Sequence, residues 1–321
     1  MSERLVIIDY SPGTRITDFF VLRKIELRAY DGKPFLSLEL GDKSGRIKGS
    51  FWGDAAKELR EILKPGTVVK IKGIVIERHA KNFFKIDRLR PANHGEYDPV
   101  ELINSGKHHP DWLFAKWKKR AATISNKLLR NIFDILLKDE QFVSRLKMAP
   151  GGKLWHHSYL GGLLEHMLSV ERICRLMAKL YPMTDKDLLV AGALLHDIGK
   201  VDELSSDSLF IDYTEEGRLS GHIIIGHDKI SRIIDSINDF PIDLKKHLLH
   251  LILSHHGDLG LGSPVKPLTL EASILHHADM MDSQAAAFRR VINREKGSGD
   301  SFSKWVNLAE RYLYLKPYQE D

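Results

Sequence analysis

Eight consecutive apolar residues, Leu188-Leu189-Val190-Ala191-Gly192-Ala193-Leu194-Leu195, run straight into His196-Asp197. A helix that is apolar all round is a buried one, so this run predicts a central helix with an imidazole and a carboxylate at its end. Burying an ionised carboxylate costs several kcal/mol unless a cation, a metal or full hydrogen bonding offsets it. Either the helix ends at the surface, or the pair holds a metal ion. The other imidazoles favour the metal: 12 of the 16 histidines follow residue 150.

Two further segments place ligand-type residues on helix faces. In Gly161-Gly162-Leu163-Leu164-Glu165-His166-Met167, the residues Leu163, His166, Met167, Val170, Ile173 and Cys174 share one face, which turns His166 inward. In Ala272 to Asp282 the apolar stripe is Ile274, Leu275, Ala278 and Met281, and Asp279 borders it. Three helices thus bring His166, His196-Asp197 and Asp279 toward one bundle interior, a common way to build a metal site.

The order His, His-Asp, Asp resembles the HD-domain superfamily of metal-dependent phosphohydrolases. The matching elements are Leu163-Leu164-Glu165-His166, Leu195-His196-Asp197-Ile198-Gly199-Lys200, Ser254-His255-His256-Gly257 and the late Asp279. The resemblance implies that His166, His196, Asp197 and Asp279 hold one divalent ion. His222 and His255 resemble the extra ligands of binuclear members, with Asp197 as the bridge. Two such metals can activate a water and stabilise the leaving oxygen of a phosphodiester. Lys200, three residues after Asp197, is expected to steady a phosphate oxygen, and His256 to join the catalytic set beside Asp197. His157, nine residues before the first ligand, is a candidate for the pocket wall. His227, His247, His250, His276 and His277 are read as structural or exposed. Imidazole and carboxylate together suit Mn²⁺, Fe²⁺, Co²⁺, Ni²⁺ or Zn²⁺, with Mg²⁺ the hard-ion alternative and one or two ions per site.

The first third of the chain has a different period. Strands are expected near Ile16–Arg28, at Phe35–Leu40 and at Arg46–Trp52, with turns at Tyr30–Pro34 and Gly41–Gly45. Asp54 can cap a helix from Ala55 to Leu63, and Val68–Glu77 and Asn82–Leu89 supply two more strands. Three strands, a helix and two strands match a small OB-type barrel. Alternation points Leu36, Leu38, Leu40, Ile47, Phe51, Phe84 and Ile86 inward. Phe35, Arg46, Lys48, Trp52, Phe83 and Lys85 then share the outer face. Aromatic rings among cations suit a single-stranded nucleic acid, whose bases stack while its phosphates meet positive charge. Residues 1–90 contain 19 basic and 12 acidic residues, a balance of +7, and the rest of the chain is at −2.

The expected organisation of the 321 residues is therefore a multidomain chain. An OB-fold nucleic-acid-binding domain spans 1–92, a linker 93–110, and an all-α HD phosphohydrolase domain 111–321. From Trp112 the pattern reads as helical to the C-terminus, with loops near 150–157, 181–186, 205–221 and 257–268. The segment 107–147, with 10 basic and 4 acidic residues, extends the positive character. The single cysteine, Cys174, reads as a buried apolar residue and excludes an internal disulfide. Nothing resembles a signal peptide or a membrane span, so a cytoplasmic location without membrane contact is expected.

A barrel followed by an HD domain resembles the YhaM family of bacterial 3′→5′ exoribonucleases over nearly the whole chain. That resemblance implies Mn²⁺-dependent removal of nucleotides from the 3′ end of single-stranded RNA, and extends to single-stranded DNA. Two alternatives stay open at this stage. One is an HD phosphohydrolase of small nucleotides with a regulatory barrel, although no Gly-Tyr-Pro signature follows the histidine motifs. The other is a non-catalytic nucleic-acid-binding protein with a structural metal. Oligomeric state, including a homo-oligomer, is left open.

Overall fold

The computed structural model describes residues 6–78, 81–93, 95–98, 102, 106, 108–153, 157–205, 211–297, 299–306 and 309–316. Met1–Leu5, His94, Lys107, Trp155, His156 and part of the loop expected at 205–221 lie outside the described residues. The chain divides into two compact units, residues 1–105 with 205–212, and the remainder.

In the first unit five strands close into a barrel in the order β1-β2-β3-β5-β4. They are β1 (Arg15–Tyr30), β2 (Lys33–Gly41), β3 (Arg46–Trp52), β4 (Val68–Arg78) and β5 (Lys81–Pro91), with α1 (Ala55–Ile62) between β3 and β4. Only the β3–β5 pairing is parallel. β1 serves two partners because it bulges between Leu22 and Lys24: its first half pairs with β4, its second with β2. The expected inward set is buried, with Phe51 half-buried, around Phe20, Val69 and Ile71. Two local expectations fail. The first turn needs only Asp31 and Gly32, because β1 and β2 both run further than the alternation suggested. Asp54 precedes α1 but makes no side-chain cap, since its backbone is already helical.

The second unit is helical. Its elements are α2 (Pro110–Ala121), α3 (Lys127–Leu136), α4 (Glu140–Met148), α5 (Gly162–Leu180), α6 (Lys186–Leu195), α7 (Lys200–Glu203), α8 (Glu215–Asp235), α9 (Ile242–Ser254) and α10 (Leu270–Glu295). All of Leu188–Leu195 is buried, and α6 packs against α2, α3, α5, α9 and α10. Cys174 is buried among these helices, as expected. His109 caps α2 by accepting from the Asp111 N–H. The helical pattern does not continue to the C-terminus. It stops at Glu295, and the described residues 301–306 and 309–316 pair through the bridges Phe302↔Tyr314 and Val306↔Arg311. Aromatic residues at alternate positions there favour extended backbone. Met281 does not join the α10 stripe and is exposed. Among the described residues no helix is long and apolar enough to cross a membrane.

Candidate metal centre and nucleic-acid interface

The end of α6 is buried, and its backbone is satisfied there. The Trp117 indole N–H donates to Leu194 O, the His196 ring to Ala193 O, and the Ile198 N–H to Leu195 O. Asp197 then turns into the bundle at 1% exposure, and His166, His196 and His255 have none. The surface alternative for the His-Asp pair is excluded.

The two oxygens of Asp197 face different sets of side chains. Oδ2 lies 3.3 Å from His166 Nε2 and 3.5 Å from His196 Nε2. Those two ring nitrogens are 3.2 Å apart, and Asp279 Oδ1 approaches them at 3.1 and 4.0 Å. Oδ1 lies 3.4 Å from His222 Nε2 and 3.5 Å from His255 Nε2, with His256 in the same cluster. Asp197 Oδ1, His222 Nε2 and His255 Nε2 are all buried and have no hydrogen-bond partner. Such orphans are costly in a protein interior, and here they converge.

Each imidazole is oriented through its other nitrogen. Nδ1 of His196, His255 and His256 bonds to the carbonyl oxygens of Ala193, Ile252 and Leu261. Nδ1 of His222 bonds to Glu203 Oε1 at 3.0 Å, and Nδ1 of His166 to Asp282 Oδ2 at 2.8 Å. All five rings therefore offer Nε2 to the centre, the arrangement in which outer partners select the ligand tautomer. His222 reaches its place because Gly221 (φ 71°) breaks α8, leaving the His222 N–H to be capped by Glu203 Oε1.

Charge supports the same reading. Asp197 and Asp279 share the buried cation Lys200, whose Nζ donates to Asp197 Oδ2 at 2.6 Å and to Gly151 O at 2.9 Å. Burial would raise the Asp197 carboxyl, but Lys200 and the histidines hold it well below the usual range. Burial pushes His166 down, yet its hydrogen bonds to three carboxylates win and hold it well above the ordinary histidine value. Burial, then the neighbouring His255, lowers His256 to about 4, so that ring is neutral and its lone pair free. The excess of carboxylates, the orphaned atoms and the inward-turned Nε2 atoms fit divalent cations, which would take the place of the proton that the carboxylates hold on His166: one among His166, His196, Asp197 and Asp279, another among Asp197, His222, His255 and His256.

Sequence reasoning missed two supports. Asp282 accepts from both His166 and His157, whose Nε2 is 2.9 Å away. Its signal was its place three residues after Asp279, on the same side of α10. Glu203 meets His222 only through tertiary structure, and no spacing announces that. Lys200 is enclosed against Asp197 rather than extended as a free arm. We expect Asp282→Asn to weaken Mn²⁺ binding 10–100-fold, the usual cost of losing such a partner. Calorimetric titration checks this, and an unchanged affinity would show that Asp282 does not orient His166.

On the barrel, the register sets the expected outer residues side by side. Phe35 faces Trp52, Ser37 and Ser50 lead to Lys85, and Glu39, Lys48 and Phe83 form the next row. The Phe35 and Trp52 rings stack at 4.3 Å, and Arg78 lies 5.2 Å from the Phe83 ring. A cavity of about 310 Å³ runs between them, with Lys24, Lys48 and Arg78 in its lining. Arg46 stands at the edge, 3.0 Å from Glu39.

Residues 163–283 match the HD domain family, and residues 21–92 match the OB-fold nucleic acid binding domain family. The 3′-5′ exoribonuclease YhaM of Geobacillus sp. (strain WCH70) is 30% identical over 313 residues, covering 97% of this chain and 94% of that protein. Solved structures with some similarity include the second OB-fold domain of replication protein A from Methanococcus maripaludis. That likeness has 18% identity and a TM-score of 0.24, over 29% of this chain and 96% of that one. The OB domain of Ta0387 from Thermoplasma acidophilum gives 21% identity and a TM-score of 0.25, over 33% of this chain and 96% of that one. With that identity along nearly the full length of both proteins, and both domains present, the chain belongs to the YhaM family.

Proposed function

We propose that this protein is a divalent-metal-dependent 3′→5′ exoribonuclease that shortens single-stranded RNA, and single-stranded DNA by the same chemistry, in the cytoplasm. The observation that carries the reading is the pair of histidine–carboxylate clusters joined through Asp197, with orphaned buried ligand atoms on one side. A structural metal needs one closed ligand set, whereas two sets sharing a carboxylate serve phosphodiester hydrolysis. Polarity follows the name of the Geobacillus relative; the mixed donors suit a borderline divalent ion, and the choice of Mn²⁺ among those follows the family resemblance alone.

Divalent ions bound there would polarise a water and neutralise charge developing on the phosphodiester. The chain's own residues prepare that site. Lys200, itself held by Gly151 O, fixes the Asp197 carboxylate. Asp282 and Glu203 set the His166 and His222 rings. Neutral His256 keeps an unprotonated Nε2 for a ligand at the edge of the cluster. On the barrel, Phe35, Trp52 and Phe83 offer stacking surfaces, and Lys48, Lys85 and Arg46 offer charge to the phosphates.

The test uses the full-length protein with Mn²⁺, 5′-labelled single-stranded RNA and, in parallel, a panel of free nucleotides. A ladder of products shortened one nucleotide at a time, abolished by EDTA, is expected. Turnover of the free nucleotides alone would replace this reading with a small-nucleotide phosphohydrolase, and no turnover at all would leave a binding protein.

A further inference from the structure

The barrel carries a second basic surface outside the aromatic face. The β4–β5 register sets Lys70 opposite Arg90 and Lys72 opposite Arg88. Like charges directly opposed across antiparallel strands destabilise a sheet, and here two such pairs follow one another. Strict alternation would send Arg88 inward, two residues after buried Ile86. Instead, Ile86 pairs with Gly73 and Arg88 with Lys72, so Asp87 is the extra residue of a bulge and Arg88 is turned out. Bulges that re-aim a side chain are built features, not defects.

These four cations line a groove of about 570 Å³ in which Asp87 is the one acidic residue among those described. Two of them are partly committed. Arg90 holds Glu96 through both carboxylate oxygens at 2.8 Å, and Lys70 sits 4.9 Å from the centre of the Phe19 ring, which also meets Tyr97. Lys72 and Arg88 are exposed, and among the described residues neither has an ion-pair or hydrogen-bond partner. Cations two residues apart on a strand are separated by about 7 Å and those across the ladder by about 5 Å, spacings that successive phosphates of an extended strand can match. With Phe19 covered by Lys70 and Phe51 half-buried in the lining, the surface offers far more charge than ring.

We propose that this β1–β4–β5 face is a second nucleic-acid contact, in which Lys72 and Arg88 grip the sugar–phosphate backbone of the single strand without reading its bases. It rests on the nucleic-acid reading above and extends it from base stacking on β2 and β3 to backbone capture on another side of the barrel.

The test is the salt dependence of binding. Full-length wild type, Lys72→Gln/Arg88→Gln and the charge-keeping Lys72→Arg/Arg88→Lys are titrated against a labelled single-stranded RNA of about 20 nucleotides in EDTA, which stops hydrolysis, over a KCl series. Each lost phosphate contact on a single strand lowers the slope of log K against log salt by about 0.7, so the Gln pair should lose about 1.4 and bind at least roughly tenfold more weakly at 0.1 M salt. The charge-keeping pair should keep the wild-type slope. Thermal melting of the Gln pair should be unchanged or raised, because the opposed charges are gone. An unchanged slope, or a melting point several degrees lower, overturns the proposal while leaving the aromatic face intact. A wild type that binds no single strand removes the underlying reading itself.

Discussion

Asp197→Asn is expected to abolish RNA hydrolysis, with a loss of at least a thousandfold, while RNA binding by the barrel should stay close to wild type. The amide keeps the size and shape of the carboxylate but has one oxygen and no charge. It can face His166 and His196, or His222 and His255, but cannot serve both clusters, as the two Asp197 oxygens do. A thousandfold corresponds to about 4 kcal/mol of barrier, a modest share of what paired metals supply. Single-turnover cleavage of labelled RNA gives the rate, and anisotropy in EDTA the affinity. Asp197→Ala is a harsher change, because among the described residues it leaves buried Lys200 with Gly151 O as its one hydrogen-bond partner. Breaking a buried pair costs about 3–5 kcal/mol, so loss of activity in the alanine variant must be read beside its melting curve. Asn cleaving at the wild-type rate would rule out Asp197 as the bridge.

Much of this centre is written locally in the chain. His166 sits on a stripe with period 3.6, and Asp197 ends an eight-residue apolar run. Asp279 flanks a second stripe. In each case hydrophobic periodicity assigns a face, and burial follows from that face. The barrel was legible for the same reason with period two: Leu36, Leu38 and Leu40 are inside, and Phe35 and the neighbouring odd positions outside. What could not be read is what depends on departures from the period or on distant pairing. Arg88 faces outward only because Asp87 is inserted into the ladder. Glu203 supports His222 only because α8 breaks at Gly221. The pairing of 301–306 with 309–316 depends on bridges between residues as far apart as Phe302 and Tyr314. The enclosure of Lys200 was not legible either, because a sequence shows a lysine's charge but not the carboxylate and carbonyl that hold it.

Gly199→Ala is expected to damage both stability and the second cluster, although Gly199 touches no ligand-type side chain through chemistry of its own. A Cβ added there would lie 2.0 Å from His222 O and 2.6 Å from the Gly226 backbone nitrogen. These are backbone atoms of α8, so no rotamer change relieves the clash, and α8 must move away from the turn that carries Asp197. Overpacking costs about 1–3 kcal/mol, occasionally more, and a collision with backbone belongs at the upper end. At roughly 2–4 °C per kcal/mol for a domain of this size, the melting point should fall by roughly 10 °C. The same movement carries His222 away from Asp197 Oδ1. Displacing a catalytic group by about 1 Å can cost about a hundredfold in rate, so cleavage should fall by about that factor, and Mn²⁺ titration should lose the site that includes His222 first. Gly192→Ala provides the comparison: its Cβ would meet the end of the Leu251 side chain at 2.3 Å, a flexible neighbour that can turn aside, so its losses should be smaller on every measure. If both variants melt and cleave alike, close approach of α8 at Gly199 is not what brings His222 to the metal centre.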